Sequence, residues 1–336
     1  MKCLTIAIPC YNSQKEMRRA IDPLLSGGDA VEILIVDDGS TDSTGEIADE
    51  YQRQYPGIVS AIHQPNGGHG NAVMTGLSHA SGRFFKVLDS DDRFDPEAYA
   101  RFLKTLLSFG EEAPDLLVTN YCYDKQGAAH PHVTRYHHAL PRGRIIGWDE
   151  TRRFRDGQYI LMHAATFRTD FLRDCNLNLP DHTFYVDDLY VYAPMARVRR
   201  LYYLDVDLYL YWIGREGQSV QENIMIQRID QKLLVNRLMI MCADPFALPD
   251  PRQRRYMLQY LEIVTSATST LLVKSGTPEN LRKKEALWDF LRDQNPRVYD
   301  FLRRRLMGRM LHLPGKAGRR VVVRGYTVAR RIFGFN

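Results

Sequence analysis

Residues 83–92 read Arg-Phe-Phe-Lys-Val-Leu-Asp-Ser-Asp-Asp, a mostly apolar run that ends in three acids. Residues 84–88 predict a buried strand, and Asp89, Asp91 and Asp92 follow it within four positions. Carboxylates this close repel one another and resist burial in their charged form. A divalent cation such as Mg²⁺ or Mn²⁺ is a fitting partner, because it prefers carboxylate oxygens. A solvated acidic turn before the next helix is the alternative interpretation.

Composition indicates a soluble globular protein with one large domain or two. The chain has 336 residues, of which 44% are apolar and 25% charged, as is usual for such proteins. Apolar runs are too short for a membrane span, and the N-terminus is interrupted too early for a signal peptide. Five scattered cysteines form no Cys-x-x-Cys pair. They predict reduced thiols in a cytoplasmic protein, without a zinc site.

Positive charge is concentrated at the C-terminus. Residues 300–336 contain ten Arg or Lys and one acid, so their net charge is +9. The net charge of the whole chain is +5, and that of the preceding 299 residues is therefore −4. Arginine pairs and a triplet alternate there with apolar residues, which favours an amphipathic segment at the anionic inner face of a membrane. A solvated basic face is the alternative. The sequence shows no nucleic-acid-binding module, so we expect no nucleic-acid partner.

The first half alternates between strands and helices. Strands are predicted at 4–9, 31–36, 58–63 and 84–88, with helices at 13–25, 42–55 and 72–80 between them. Ser13 and Glu16 have the spacing of a capping box for the first helix. This alternation predicts an α/β fold with a doubly wound, mainly parallel sheet. Each polar or glycine-rich loop follows a strand, so the loops meet at the edge where such sheets bind ligands.

Four segments in this half carry a family resemblance. They are residues 9–12 (Pro-Cys-Tyr-Asn), 36–42 (Val-Asp-Asp-Gly-Ser-Thr-Asp), 66–72 (Asn-Gly-Gly-His-Gly-Asn-Ala) and 89–92 (Asp-Ser-Asp-Asp). Each is common alone, but the four together in this order and spacing resemble the family 2 glycosyltransferases. The resemblance implies the GT-A fold, in which a Rossmann-like nucleotide-sugar half is joined to an acceptor half.

The resemblance also implies roles at the donor site. Tyr11 would pack on the base of a nucleotide-sugar donor, and Asp38 would accept hydrogen bonds from its base or ribose. Asp91 would be a direct ligand of Mn²⁺ or Mg²⁺ at the donor diphosphate, with Asp89 facing the ribose or the metal. Pro9, Asn12 and Gly68 complete this donor-binding set. Core packing of Tyr11 and a turn-holding role for Asp38 are the alternatives.

The acceptor side is predicted from the second half. Asp187-Asp188 resembles the Glu-Asp pair of the family, with Asp in place of Glu at the first position, which implies that Asp188 is the general base. A pair of acids at a helix N-terminus is the alternative. Arg215 could close over the diphosphate or be an exposed structural arginine. His163 could face the acceptor or pack in the core.

We predict three regions: a glycosyltransferase domain at 1–215, a helical domain at 216–300 and a basic amphipathic tail at 301–336. The helical domain would pack against the core or against another copy of the chain, which leaves a homo-oligomer open. Residues 124–158 are predicted as a mobile loop or acceptor-side insertion, with an ordinary exposed excursion as the alternative. The Gln-x-x-Arg-Trp motif of processive relatives is absent.

These features predict an inverting, metal-dependent glycosyltransferase. Its donor would be a nucleotide-diphosphate sugar, with UDP as the commonest carrier in the family. Its acceptor would be a saccharide or lipid-linked saccharide, a precursor of the cell envelope or of an exopolysaccharide. A nucleotidyltransferase, which would release pyrophosphate and leave Asp188 without a role, is one alternative. A catalytically degenerate nucleotide-sugar-binding protein is the other.

Overall fold

The computed structural model describes the backbone of residues 2–125, 132–214 and 218–333 and the side chains up to residue 327. The described residues divide into two compact units. One unit comprises Met1–Arg152 and Ile160–Ile213, and the other comprises Arg153–Tyr159 and Gly214–Asn336. The three regions proposed from the sequence stay a prediction.

The first unit is built on a mixed sheet, which confirms the predicted α/β class. Its strands are β1 (Leu4–Cys10), β2 (Val31–Asp37), β3 (Val59–His63), β4 (Phe84–Val87), β5 (Arg93–Phe94), β6 (Leu116–Lys125), β7 (His132–Thr134), β8 (Ile145–Ile146), β9 (Ala165–Arg168) and β10 (Leu201–Ile213). Within the described residues the sheet order is β3-β2-β1-β4-β9-β6-β10-β5, with β7 beside β6 and β8 beside β10. Its helices are α1 (Met17–Ile21), α2 (Thr44–Gln54), α3 (His69–His79), α4 (Pro96–Ser108), α5 (Thr169–Asp174) and α6 (Val186–Met195).

Strand register brings the predicted polar loops to one edge. β3, β2, β1 and β4 are parallel neighbours, so their carboxyl ends point the same way. Cys10, at the end of β1, lies opposite Asp37, at the end of β2. The side chains of β1 are buried along the whole strand, as expected for a parallel sheet covered on both faces. The loops after β1, β2 and β4 therefore start at one side of the sheet.

Two local features differ from what the sequence indicates, for identifiable reasons. Ser13 does not cap α1: the hydroxyl of Ser13 donates to the carbonyl of Tyr11 and bonds the hydroxyl of Ser90, and α1 starts at Met17 without a side-chain cap. Residues 159–167, whose composition is strand-like, form a strand only from Ala165 onward, after a 3₁₀ turn at Met162–Ala164. The ammonium of Lys86 accounts for that turn, because it donates to the carbonyls of His163 and Ala165 at 2.9 and 3.1 Å.

Strand β10 continues past two acids, Asp205 and Asp207, where its register against β6 shifts. Asn120, on the neighbouring β6, donates its side-chain amide to Asp205 and to Asp207 at 2.8 Å each. The carboxylates are thereby hydrogen-bonded in place, and the strand continues to the candidate site described below.

The second unit is helical. Its helices are α7 (Glu222–Gln227), α8 (Ile229–Cys242), α9 (Pro251–Ser275), α10 (Pro278–Gln294), α11 (Pro296–Arg304), α12 (Leu306–Leu311) and α13 (Gly315–Phe333). Asp250 caps α9 by accepting from the backbone N–H groups of Arg252 and Gln253, and Gly276 ends it in the left-handed conformation. Among the described residues we find no helix that is both long and apolar enough to cross a bilayer.

Candidate active site

The loop after β2 is fastened to the glycine-rich loop by one buried carboxylate. Asp38 is 3% exposed, and its two oxygens accept from the N–H of Gly67 at 2.8 Å, the N–H of Gly68 at 2.7 Å and the amide of Gln64 at 2.7 Å. Gly68 has φ of +85°, and a Cβ there would lie 2.9 Å from the backbone nitrogen of His182. Only glycine fits this position without strain. Asp38 and Gly68 thus fix where α3 begins.

The loop after β1 is tied to the same edge. Asn12 has φ of +50°, a conformation that asparagine tolerates. Its side-chain carbonyl accepts from the N–H of Thr41 at 2.8 Å, and its own N–H donates to the hydroxyl of Ser40 at 3.0 Å. Pro9 is buried in β1, whereas Tyr11 leaves 54% of its surface exposed. The aromatic face of Tyr11 is therefore available to a ligand.

The acids after β4 form a cluster with a histidine from the glycine-rich loop. Asp89 lies 2.9 Å from His69 through Oδ1 and Nε2. The hydroxyl of Tyr209 donates to Asp92 at 2.8 Å and lies 3.4 Å from Oδ2 of Asp89. The backbone N–H of Trp212 also donates to Asp92, at 2.8 Å. Asp91 is half-buried beside them.

The electrostatics of this cluster differ between the half-buried Asp89 and the buried Asp92. Burial and the negative charge of Asp89 raise the pKa of Asp92 well above its usual value. Burial also acts to raise the pKa of Asp89, but the hydrogen bond and charge of His69 outweigh it, and that pKa is lowered. Burial acts to lower the pKa of His69, and the pairing with Asp89 outweighs it, so that pKa is raised. Asp89 is thus the better compensated of the two acids, and Asp92 the less compensated.

His163 reaches the same cluster from the turn before β9. It is 6% exposed, stacks on Tyr211 with ring centroids 4.4 Å apart, and meets Tyr209 edge-on at 4.7 Å. Its Nε2 lies 3.8 Å from Oδ2 of Asp89, and its buried Nδ1 has no hydrogen-bond partner among the described residues. Burial lowers the pKa of His163.

Three of these residues could hold a metal ion. Ligand atoms of Asp89, Asp92 and His163 all lie within 4.8 Å of one another. The sequence identified Asp89 as a ligand, treated Asp92 only as part of the motif, and left His163 between acceptor contact and core packing. Asp91, its other predicted ligand, is not one of these three.

Lys86 supports the turn that carries His163. Its side chain is fully buried inside β4, and burial lowers its pKa to about 7. The sequence reasoning gave Lys86 no role, although a lysine inside a predicted buried strand was a visible signal, because buried lysines are rare.

The acid pair at the start of α6 is also near the cluster. Tyr185, before α6, has φ of +68°, an uncommon conformation for a tyrosine. Asp187 is half-buried, and its charge acts on His69, His163 and Tyr211. Asp188, the predicted base, is 7% exposed in the first turn of α6. The predicted Arg215 lies outside the described residues.

Comparison with known proteins agrees with this geometry. Residues 5–171 match the family described as "Glycosyl transferase family 2". An uncharacterized glycosyltransferase of Mycoplasma pneumoniae, the MG025 homolog, is 38% identical over 125 residues, which are 35% of this chain and 40% of that protein. Poly(ribitol-phosphate) beta-N-acetylglucosaminyltransferase TarS of Staphylococcus aureus is 26% identical over 233 residues, 66% of this chain and 37% of TarS. The chain therefore spans about two fifths of the length of these relatives.

Solved structures show the fold. The crystal structure of residues 1–349 of S. aureus TarS with UDP-GlcNAc has a TM-score of 0.70 at 22% identity and covers 98% of this chain and 92% of that one. The mannosyltransferase PcManGT of Pyrobaculum calidifontis, in complex with GDP-Man and Mn²⁺, has a TM-score of 0.52 at 13% identity and covers 99% and 88%. The first unit and the helices after it therefore share the architecture of a GT-A protein.

Proposed function

We propose that this chain, which belongs to glycosyl transferase family 2, transfers a sugar from a nucleotide-diphosphate sugar to a hydroxyl group of a cell-envelope or exopolysaccharide precursor. The observation that carries the proposal is the gathering of Asp89, Asp92 and His163 at the carboxyl edge of the sheet, beside the glycine-rich loop that Asp38 holds. Nucleotides bind at this edge in doubly wound folds. TarS, which shares the fold, is described with UDP-GlcNAc, so a UDP-linked sugar is the first donor to test.

The donor's nucleoside would bind to the loops after β1 and β2. Tyr11 offers an exposed ring to the base. Asp38 already accepts three hydrogen bonds, and a carboxylate has about four acceptor positions, so one remains for the ribose or base. Pro9, Asn12 and Gly68 would shape this pocket through the backbone conformations described above.

A divalent cation fits the acids after β4. Ligand atoms of Asp89 and Asp92 lie within 4.8 Å of each other, and carboxylates this close repel one another in their charged form. Asp89 and Asp91 are the proposed ligands of Mn²⁺ or Mg²⁺. When bound, the cation would offset the charge of the departing diphosphate. Arg215 is proposed to add a second positive group there.

Acceptor activation is assigned to Asp188. As a general base it would take the proton of the acceptor hydroxyl while that oxygen attacks the anomeric carbon on the face opposite the diphosphate, which inverts the configuration. The fixed start of α6 would keep this carboxylate in position.

The first experiment measures donor binding and slow donor hydrolysis over a panel of nucleotide sugars, with and without Mn²⁺, for the wild type and for Asp91→Asn. We expect one carrier to bind in a metal-dependent way and the variant to lose that binding. Product analysis separates free sugar and nucleoside diphosphate from the pyrophosphate that a nucleotidyltransferase would release. Transfer to acceptors is then tested with Asp188→Asn as the inactive control. A folded protein that binds no nucleotide sugar would refute the proposal.

The basic helices of the second unit are proposed to bring the enzyme to an anionic membrane, at its cytoplasmic face. Leu306 is 73% exposed next to the exposed Arg304 and Arg305, and Lys316, Arg320 and Val321 are exposed on α13. Cations beside exposed apolar side chains suit the headgroup region. Sedimentation with vesicles should show binding that requires phosphatidylglycerol and weakens with salt. Equal binding to neutral vesicles would contradict an electrostatic attachment.

A further inference from the structure

We propose that His163 is a nitrogen ligand of the same divalent cation as Asp89, with Asp92 as a further ligand, and that this nitrogen makes the site select Mn²⁺ over Mg²⁺. The inference deepens the proposed function and rests on it, because it assigns the metal chemistry of that site. It adds a residue far from the acidic motif in the sequence, and it makes metal preference depend on that residue.

The distances between the ligand atoms are compatible with one shared ion. Two ligand atoms that share one ion at about 2.1 Å are about 3.0 Å apart when they are at right angles and about 4.2 Å apart when they are opposite. Nε2 of His163 and Oδ2 of Asp89 are 3.8 Å apart, too far for a hydrogen bond and within this range. The full set with Asp92 spans up to 4.8 Å, so a side-chain adjustment of about half an ångström would complete the group.

The surroundings of His163 also favour a metal ion at its Nε2. Nε2 of His163, the nitrogen that lies toward the acids, makes no hydrogen bond among the described residues and meets Asp89 only at 3.8 Å, so its lone pair is open to an ion. Packing on Tyr211 and Tyr209 fixes the ring plane. Asp89 and Asp92 add two carboxylates, and one ligand atom from each of the three residues lies within 4.8 Å of the others.

Lys86 keeps this ligand in place without competing for it. Its ammonium donates to the main-chain carbonyls of His163 and Ala165, so it fixes the turn and leaves the imidazole free to face Asp89. Lys86 is thus a positioning residue for His163. Fixed ligands bind ions better than mobile ones, because less order is imposed on binding.

The chemistry of the ligand set predicts a preference for Mn²⁺ over Mg²⁺. Mg²⁺ is a hard ion that favours oxygen and keeps several waters. Mn²⁺ lies low in the Irving–Williams order but tolerates imidazole better than Mg²⁺ does, and nitrogen donors raise the affinity of transition ions. His163→Gln places an oxygen donor near the position of Nε2, so it removes the nitrogen while it retains a polar group of similar reach.

The experiment titrates the full chain with Mn²⁺ and, separately, with Mg²⁺, first without a nucleotide and then with UDP, using Mn²⁺ electron paramagnetic resonance and calorimetry. For His163→Gln we expect the Kd for Mn²⁺ to rise roughly tenfold or more, the Kd for Mg²⁺ to change much less, and the ¹⁴N modulation of bound Mn²⁺ in electron spin echo spectra to disappear. His132→Gln is the matched control, because His132 is exposed and stacks on Tyr123 nearby. This substitution should alter neither the Kd for Mn²⁺, nor the Kd for Mg²⁺, nor the ¹⁴N modulation.

The outcomes separate the inference from the proposed function. Unchanged Mn²⁺ affinity and retained ¹⁴N modulation in a folded His163→Gln protein would overturn the inference, even if nucleotide sugars bind and react. Equal losses for Mn²⁺ and Mg²⁺ with a lowered melting temperature would also overturn it, since they indicate a structural histidine. Binding of Mn²⁺ that depends on His163 in a protein that binds no nucleotide sugar would support the ligand and refute the transferase.

Discussion

Asp38 and Asp92 both follow a buried parallel strand, and both are almost fully buried, at 3% and 1% exposure. Their surroundings differ. Asp38 receives two backbone N–H groups and one amide and has no acid in contact among its described partners. Asp92 receives one hydroxyl and one N–H, and its charge is repelled by Asp89. The protein itself compensates the first acid more fully than the second.

This difference separates two uses of a buried carboxylate. A fully hydrogen-bonded acid stabilises the fold, because removing it leaves the donors that it satisfied without an acceptor. A partly compensated acid costs stability in the free protein and gains its partner on binding. The two strand ends look alike in sequence, so substitutions at each should have opposite patterns of effect on stability and on turnover.

The largest effect is expected for Asp89→Asn. This change should lower Mn²⁺-dependent donor hydrolysis about 100-fold or more, because metal assistance to charge development contributes several kcal/mol. The free energy of unfolding should change by only about 1 kcal/mol, the contribution of one hydrogen bond to His69. Initial rates and urea denaturation measure the two quantities. Asp49→Asn, at an acid that pairs with His63 on the surface, is the control, and an equal loss of hydrolysis there would refute a site-specific effect.

The next effect concerns stability at the other strand end. Asp38→Asn should lower the free energy of unfolding by about 2–3 kcal/mol, because the new amide NH₂ faces an N–H donor on one side and leaves that group unpaired. Urea denaturation checks this. A loss of turnover without a loss of stability would contradict the comparison, since it would show that the carboxylate of Asp38 is needed by the donor and not by the fold.

The same substitution at the second acid should act in the opposite direction. Asp92→Asn can still accept from the N–H of Trp212 and can donate to the hydroxyl of Tyr209, and it removes the repulsion with Asp89. In the presence of a chelator the free energy of unfolding should rise by about 1 kcal/mol. Mn²⁺ affinity should fall at the same time. A destabilised Asp92→Asn protein would show that the charge of Asp92 is needed by the fold.

Sequence predicted the parallel half of this fold well, because its signals are local. β1, β2 and β4 are short apolar runs that end in polar turns, and the acid-Pro pair Asp95-Pro96 marks the start of α4, where Asp95 accepts from the N–H of Ala98. The donor-side acids could be identified because they follow those strands directly. These features need only period, length and turn chemistry.

The remainder of the site depends on contacts between distant segments. His163 joins Asp89 only because β9 inserts antiparallel between β4 and β6, and no local pattern predicts that pairing. Tyr209 reaches Asp92 from β10, more than a hundred residues along the chain. His69 likewise meets Asp89 across a turn of the fold that no local pattern specifies. The predicted roles of Asp91, Asp188 and Arg215 stay predictions.

The smallest effect expected is a pH dependence at the compensated strand end. Nδ1 of His63 lies 3.0 Å from Asp37 and Nε2 lies 3.1 Å from Asp49, and these two hydrogen bonds raise the pKa of His63. A raised histidine pKa contributes stability that is fully present below about pH 6.5, the unfolded pKa, and is lost as pH rises through the folded pKa.

His63→Gln should therefore be less stable than the wild type at pH 6 and equal to it by pH 9. Asp37 is buried, but the ring of His63 is nearly half exposed, so solvent screening should keep the difference below about 1 kcal/mol. Thermal melts at both pH values in low salt measure it, with His79→Gln as the control, because His79 bonds a hydroxyl and the carbonyl of Thr75. A deficit that is the same at both pH values would mean that His63 acts through packing, and the charge balance at the end of β2 would then rest on hydrogen bonds alone.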